Sequence, residues 1–403
     1  MKIKFITLGC KVNQYDTQSI RERFFEKGHK EIYNGLPADI CLINTCTVTA
    51  AADSKSRSAI RSCVRENPRA KIIVTGCIVE KDAAGLAGIK GVNFIVSKKF
   101  FPSGISNFCA HTRAFLKIQD GCNNFCSYCK VPLVRGRSRS RDLREIINDA
   151  QQLVKNGFKE IVLCGICLGA YGRDLENRRD LVDAIEALEG IEGLLRIRLS
   201  SIEAGDVSDR LINKMAQSKR LCRHLHIPIQ SGDDEILQKM NRSYSRKDYL
   251  RLIKKIKKSI PEIAITTDVL VGFPGETKIH FQNTIDLIKE ILPLRVHIFP
   301  YSRRSGTAAA ILKDKINPLA IKERILELEG VSKKCSIAFM EEFLNKNMDV
   351  LIEGHVKENK EYWEGHTDNY IRVIVKSRFN LKNQVVVARL KGISEGCINA
   401  DLL

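Results

Sequence analysis

Apolar and polar positions along this chain change rhythm in a regular way. Short β-rich runs alternate with stretches whose apolar residues recur every three or four positions. In the first hundred residues the runs lie at 2–8, 39–43, 71–75 and 92–96. Between them, 16–26 places Ile20, Phe24 and Phe25 on one side of a helix, and 48–66 is helical. Strands separated by helices of this length argue for βαβ units and a parallel sheet. From residue 114 the alternation resumes, with candidate strands at 115–120, 160–164, 195–200, 224–230, 264–271 and 295–301. The helix at 143–156 repeats Leu143, Ile146, Ile147, Ala150 and Val154 at helical spacing. Ser245 and Asp248 read as a capping box ahead of the helix that begins near Tyr249. Six strand–helix units predict a partial (β/α)6 barrel. A helical stretch at 319–344 leads to a third rhythm beyond Met348. There the residues alternate, as in Val350-Leu-Ile-Glu and Tyr370-Ile-Arg-Val-Ile-Val, with turn residues between. The expected fold class is α/β, with a parallel-sheet domain over 1–110, the partial barrel over 111–345 and a small β-barrel over 346–403.

Composition narrows the setting. At 403 residues, two or three domains are expected. A hydrophobic content of 44% is ordinary for a chain with a real core. No apolar run reaches the length of a membrane span, and the lysine-bearing N-terminus lacks a secretory core. These point to a cytoplasmic protein with no membrane partner. Its fourteen cysteines then serve as metal ligands or core thiols rather than as disulfides. The net charge of +19 argues for a polyanionic partner, most simply nucleic acid.

The candidate chemistry begins at Cys122, Cys126 and Cys129, spaced C-x3-C-x2-C. Soft thiolates converging within one short loop suit iron–sulfur clusters. Three ligands on a four-iron cluster leave one iron open, as an open coordination position marks catalytic zinc. Cys10, Cys46 and Cys77 each follow one of the first three strands by a few residues. Loops at the carboxyl ends of a parallel sheet gather on one edge, so these three are predicted to meet. Gly9 and Gly76 would let the backbone turn tightly beside a bulky group. The alternative is three buried core thiols, the reading kept for Cys41, Cys63 and Cys109. Cys164 and Cys167 form a C-x2-C without a second pair and read as non-ligands. Lys130, Arg135, Arg137, Arg139 and Arg141 follow the cysteine loop closely and predict phosphate contacts with RNA. In the last unit Tyr362, Trp363, Tyr370 and Phe379 interleave with Lys360, Arg372, Lys376 and Arg378. Stacking plus charge suits RNA, with Trp363 and Arg372 as candidate contacts; the same aromatics would also serve as the core of a tiny domain.

The C-x3-C-x2-C loop is similar to the signature of radical S-adenosylmethionine (SAM) enzymes. Preceded by Leu-Gly-Cys-Lys-Val-Asn-Gln-Tyr-Asp, Asn-Thr-Cys and Thr-Gly-Cys, it resembles the methylthiotransferase family over nearly the whole chain. The C-terminal unit resembles the TRAM domain, an RNA-binding module. The resemblance implies two 4Fe–4S clusters, one on Cys122, Cys126 and Cys129 and one on Cys10, Cys46 and Cys77. It implies SAM bound at the first, with Gly165 beside its amino acid part, Gln230 and Ser231 at its ribose, and Gly272 as a further cofactor-binding residue in a family loop. Reductive cleavage of SAM would yield a radical that takes hydrogen from carbon 2 of the adenine next to the anticodon. Sulfur from the second cluster and a methyl from a second SAM complete the implied reaction. The implied partners are the anticodon loop of transfer RNA, an electron donor and a sulfur source. Leu-Gly-Cys-Lys-Val-Asn-Gln-Tyr looks most like the branch acting on N6-threonylcarbamoyladenosine. Other branches act on isopentenyladenosine in transfer RNA or on an aspartate of a ribosomal protein. A reading from another class is an iron–sulfur electron carrier with an RNA-binding tail, which would not cleave SAM. The Cys164/Cys167 pair is the main departure from the family pattern.

Overall fold

A computed structural model of the chain describes residues 1–33, 36–101, 103–109, 111–357 and 359–403. Residue 110, the expected end of the first unit, lies outside them. The N-terminal unit is a five-stranded sheet in which every pair is parallel. Its strand order is Lys30–Glu31, Lys2–Thr7, Ile40–Thr45, Lys71–Gly76 and Val92–Ile95. The central strand Ile40–Thr45 is buried at every position, which explains its unbroken apolar run: strands covered on both faces do not alternate. The edge strand Lys30–Glu31 is two residues long, too short to leave a period in the sequence.

Six parallel strands follow, Arg113–Lys117, Glu160–Cys164, Arg196–Leu199, His224–His226, Ala264–Val271 and Arg295–Pro300. Parallel bridges Ile197–Leu221 and Ser201–His226 join the two halves, so the strands stand in chain order. Among the described residues the first and sixth are not paired, and the barrel is open there. Ile161, Leu163, Ile197, Leu225, Ile265 and Val269 pack in the main core. Alternate positions therefore face the lumen. The expected strand 115–120 is broken: Gln119–Asp120 leaves the barrel to pair antiparallel with Arg139–Ser140, forming a clasp around the cysteine loop. The expected strand 224–230 ends at His226, just before Pro228. The capping box forms as the sequence predicts, with the Ser245 hydroxyl accepting from Asp248 N–H and the Asp248 carboxylate accepting in return.

Helix Pro318–Glu341 leads into a closed five-stranded barrel running from Asn347 to Leu402. This barrel covers the N-terminal ends of the six parallel strands. Arg196 donates to the carbonyls of His366 and Asp349 at 3.0 and 2.8 Å, and Arg198 to those of Asp368 and Thr367 at 2.9 and 3.1 Å. Tyr370 stacks on His224 with ring centroids 4.4 Å apart. The C-terminal barrel thus closes the end of the lumen opposite the cysteine loop. No helix among the described residues is long and apolar enough to cross a membrane.

Candidate functional site

The cysteine loop 122–129 begins directly after the clasp strand Gln119–Asp120. Each of its three sulfurs accepts a hydrogen bond. Asn124 N–H donates to Cys122 Sγ at 3.3 Å, Val131 N–H to Cys129 Sγ at 3.4 Å, and Arg242 Nη1 to Cys126 Sγ at 3.3 Å. Donors aimed at sulfur stabilise the thiolate form, the form that binds metal. Burial pushes the Cys129 thiol up to about 12 and raises Cys126 as well. These thiols therefore need a nearby cation, such as a bound metal ion, to ionise at neutral pH. Arg242 is held by an ion pair with Glu203 and by the Tyr244 hydroxyl at 2.8 Å. The sequence reading named neither Arg242 nor Glu203: they lie far along the chain from Cys126 and share no motif with it.

Cys10, Cys46 and Cys77 stand at the carboxyl ends of three adjacent strands, as the topology requires. Gly9 has φ +103°, and a Cβ there would lie 2.8 Å from the Cβ of Cys46. Gly76 has φ +99°, and a Cβ there would lie 2.3 Å from Asn44 Oδ1. Both glycines are required by left-handed backbone and close approach. Asn13, buried one turn after Cys10, knits the loops by donating to the carbonyls of Leu8 and Thr45 at 2.7 and 3.1 Å. Burial raises the Cys46 thiol to about 11 and also raises Cys77.

Arg135 reaches from the helix after the first cysteine loop to the residues around the second triad. It leaves the short helix after Cys129, is almost fully buried, and pairs with Asp120 at 2.8 Å. It also donates to Asn13 Oδ1, and its charge opposes the burial that raises the Cys77 thiol. Arg141 turns inward too, donating to Asp149 at 3.0 Å and to the Tyr15 hydroxyl at 2.8 Å. The expectation of phosphate contacts is therefore corrected for these two, whose guanidinium groups are held by internal partners. Arg137 and Arg139 are exposed. Arg137 stacks over Phe125 in the cysteine loop, with its guanidinium carbon 5.1 Å from the ring centroid.

The other candidates separate in the same way. Gly165 lies at the barrel mouth, where the amides of Ile166 and Cys167 both donate to Gln119 Oε1 at 2.9 Å. Gln119 also donates to Gly121 O and Ser138 Oγ, tying three loops together; no sequence signal marked it. Gln230 has φ +69° at the same mouth. Ser231 is buried, and its hydroxyl accepts from Asp233 N–H at 3.3 Å, which leaves its O–H to donate. The amide of Gly272 donates to Glu276 Oε2 at 2.9 Å, and a Cβ there would lie 2.5 Å from Ile321. Cys164 is buried in the lumen wall. Cys167 adjoins the Cys122/Cys126/Cys129 loop: its thiol donates to Asp206 Oδ2 at 3.3 Å and accepts from Asn124 Nδ2 at 3.6 Å, and its nearness draws the Cys122 thiol down to about 7.

In the C-terminal barrel, Trp363 is 4% exposed within the core and donates to Ser377 O at 3.3 Å. It is core rather than an RNA platform. Arg372 is half-buried and paired with Glu364. A cleft of about 700 Å³ lies nearby, lined by Lys360, Lys376, Arg378 and Lys382 among others, with Phe379 80% exposed beside it.

Two family profiles match the chain. Residues 116–288 match the radical SAM superfamily and residues 2–97 match the uncharacterized protein family UPF0004. The chain is 39% identical to the threonylcarbamoyladenosine tRNA methylthiotransferase MtaB of Bacillus subtilis, covering 96% of this chain and 93% of the relative. It is 34% identical to the protein of that name from Thermotoga maritima, over 98% and 95%. It is 34% identical to the tRNA-2-methylthio-N(6)-dimethylallyladenosine synthase of Desulfitobacterium hafniense, over 96% and 94%. Among solved structures, the radical S-adenosylmethionine methyltransferase TsrM of Kitasatospora setae superposes with a TM-score of 0.57 at 12% identity, covering 77% of each chain. That likeness is one of fold.

Proposed function

This chain belongs to the tRNA methylthiotransferases of the radical SAM superfamily, and from that premise we propose that it methylthiolates carbon 2 of N6-threonylcarbamoyladenosine beside the anticodon of transfer RNA. The observation that supports this best is Arg135, which ends the short helix after the Cys122/Cys126/Cys129 loop and donates to Asn13, the side chain that ties together the loops carrying Cys10 and Cys46. An electron carrier needs no second triad. The relatives of higher identity carry the threonylcarbamoyladenosine name, which favours that base over isopentenyladenosine.

The cofactors are SAM and two 4Fe–4S clusters. When bound, the clusters supply the electron that cleaves SAM and the sulfur to be inserted. Cys122, Cys126 and Cys129 hold the first, and their three hydrogen-bond donors keep the sulfurs anionic. Cys10, Cys46 and Cys77 hold the second, with Asn13 and Arg135 fixing the loops around it. Gly165 and Gln230 line the mouth where SAM binds. Arg137 and Arg139 meet phosphates beside the reactive loop, and the Lys360–Arg378–Lys382 cleft with Phe379 meets RNA on the C-terminal barrel. An external one-electron donor and a sulfur source complete the cycle, in the cytoplasm.

Mass spectrometry of transfer RNA nucleosides from cells with and without the protein tests the reading. The methylthio form of N6-threonylcarbamoyladenosine should vanish with the gene. Loss of the methylthio form of isopentenyladenosine instead would assign the other branch, and no change in either would overturn the proposal.

A further inference from the structure

Three side chains on the inner face of the barrel strands are not among the cysteine ligands. His226 ends the fourth barrel strand, Asp268 lies in the fifth and His297 in the sixth. Leu225, Ile265, Val269 and Val296 on the same strands face the helices, so the alternating positions turn these three inward. Strand register sets their spacing. His297 is the direct cross-strand partner of Asp268, and His226 that of Thr266. His226 Nε2 and His297 Nδ1 each lie 3.1 Å from Asp268 Oδ1, and all three ligand atoms fall within 4.8 Å.

We infer that His226, Asp268 and His297 form a binding site for one divalent transition-metal ion, distinct from both cysteine triads. Metal–nitrogen bonds of roughly 2.1 Å place adjacent ligands of one ion about 3.0–3.4 Å apart, which matches the 3.1 Å from each histidine to Asp268. Two imidazoles and one carboxylate form the donor set of open non-haem sites and suit iron(II), zinc, manganese or cobalt rather than calcium or magnesium. The outer partners fit as well. Thr266 Oγ1 lies 2.9 Å from His226 Nδ1 and 2.9 Å from His224 Nε2. A hydroxyl on the far nitrogen fixes the ring and its tautomer, as partners of metal-bound histidines do. Asp268 stays anionic: burial alone would raise it, but the hydrogen bonds from the two histidines hold it at about 2. With three protein ligands, the remaining positions of the ion face the lumen. A hydrogen-bonded knot without metal is the competing arrangement of the same atoms.

Manganese(II) titration of the anaerobic holoenzyme separates the two. Oxidised 4Fe–4S clusters are silent in electron paramagnetic resonance, so loss of the free manganese signal reports binding directly. The expected result is one manganese per chain, displaced by zinc because zinc stands higher in the affinity series. His297→Gln, at the more exposed end of the trio, and Asp268→Asn should each weaken binding by at least about tenfold, with iron content unchanged. A wild-type protein that binds no manganese, or two iron-replete variants that bind it as wild type does, would overturn the inference.

Discussion

Arg242 offers the sharpest test of how the protein sets the radical SAM site. Its Nη1 donates to Cys126 Sγ at 3.3 Å, and its side chain is 3% exposed. Adding an electron to a bound cluster makes its sulfurs better acceptors, so this cationic donor favours the reduced state. A hydrogen bond to a charged group contributes roughly 1.5–3 kcal/mol. If about half of that is gained only on reduction, its loss lowers the potential by roughly 30–60 mV, at about 59 mV per 1.4 kcal/mol for one electron. Arg242→Gln removes the charge and leaves Glu203 unpaired. Arg242→Lys keeps the charge without the fork that also reaches Glu203 and Tyr244, and should shift the potential less. The assay is a redox titration followed by electron paramagnetic resonance, in a background with Cys10, Cys46 and Cys77 changed to Ala so that one cluster is read. The parent of that background should hold about four irons. An unchanged potential in an Arg242→Gln variant that still loads those irons would refute the reasoning.

Other expectations follow from the same geometry. Reconstituted wild type should contain about eight irons per chain and the Cys10/Cys46/Cys77 triple variant about four; Cys122→Ala, Cys126→Ala or Cys129→Ala should abolish SAM cleavage, whereas Cys164→Ser should leave both iron content and cleavage intact. Changing Arg137 and Arg139 together to Ala should weaken transfer RNA binding and flatten its salt dependence by roughly two counterions, read by affinity across a salt series. Point variants suit this question better than removal of the C-terminal barrel, which would uncover Arg196 and Arg198. Glu160, fully buried among Arg198, Arg113 and Arg196, should cost about 3–5 kcal/mol when changed to Gln, because breaking a buried pair strands the remaining charge. Burial opposes its ionisation, but the three arginines outweigh it and lower its pKa. Its contribution is therefore present above the unfolded value of about 4.3 and is lost as pH falls through the lower folded one. Melting curves of wild type and Glu160→Gln should converge in acid; a gap that persists there would contradict the pairing.

The sequence by itself determined whatever is written locally. Short β-rich runs and helical spacing placed the strands of both α/β units. The cysteine loop declared its ligands, and three cysteines at successive strand ends were bound to meet because parallel topology brings those ends to one edge. Ser245 and Asp248 announced a helix start because a capping box lies within four residues. Partners were what only the tertiary structure decided. Arg135, Arg137, Arg139 and Arg141 look alike in sequence, yet two face Asp120 and Asp149 across the clasp while two face solvent. Trp363 between basic residues reads equally as platform or core, and closure of the barrel buried it. Arg242, Gln119, Asn13 and the His226–Asp268–His297 trio gain their roles from residues distant along the chain. No local spacing encodes such contacts, because sheet register and domain docking create them.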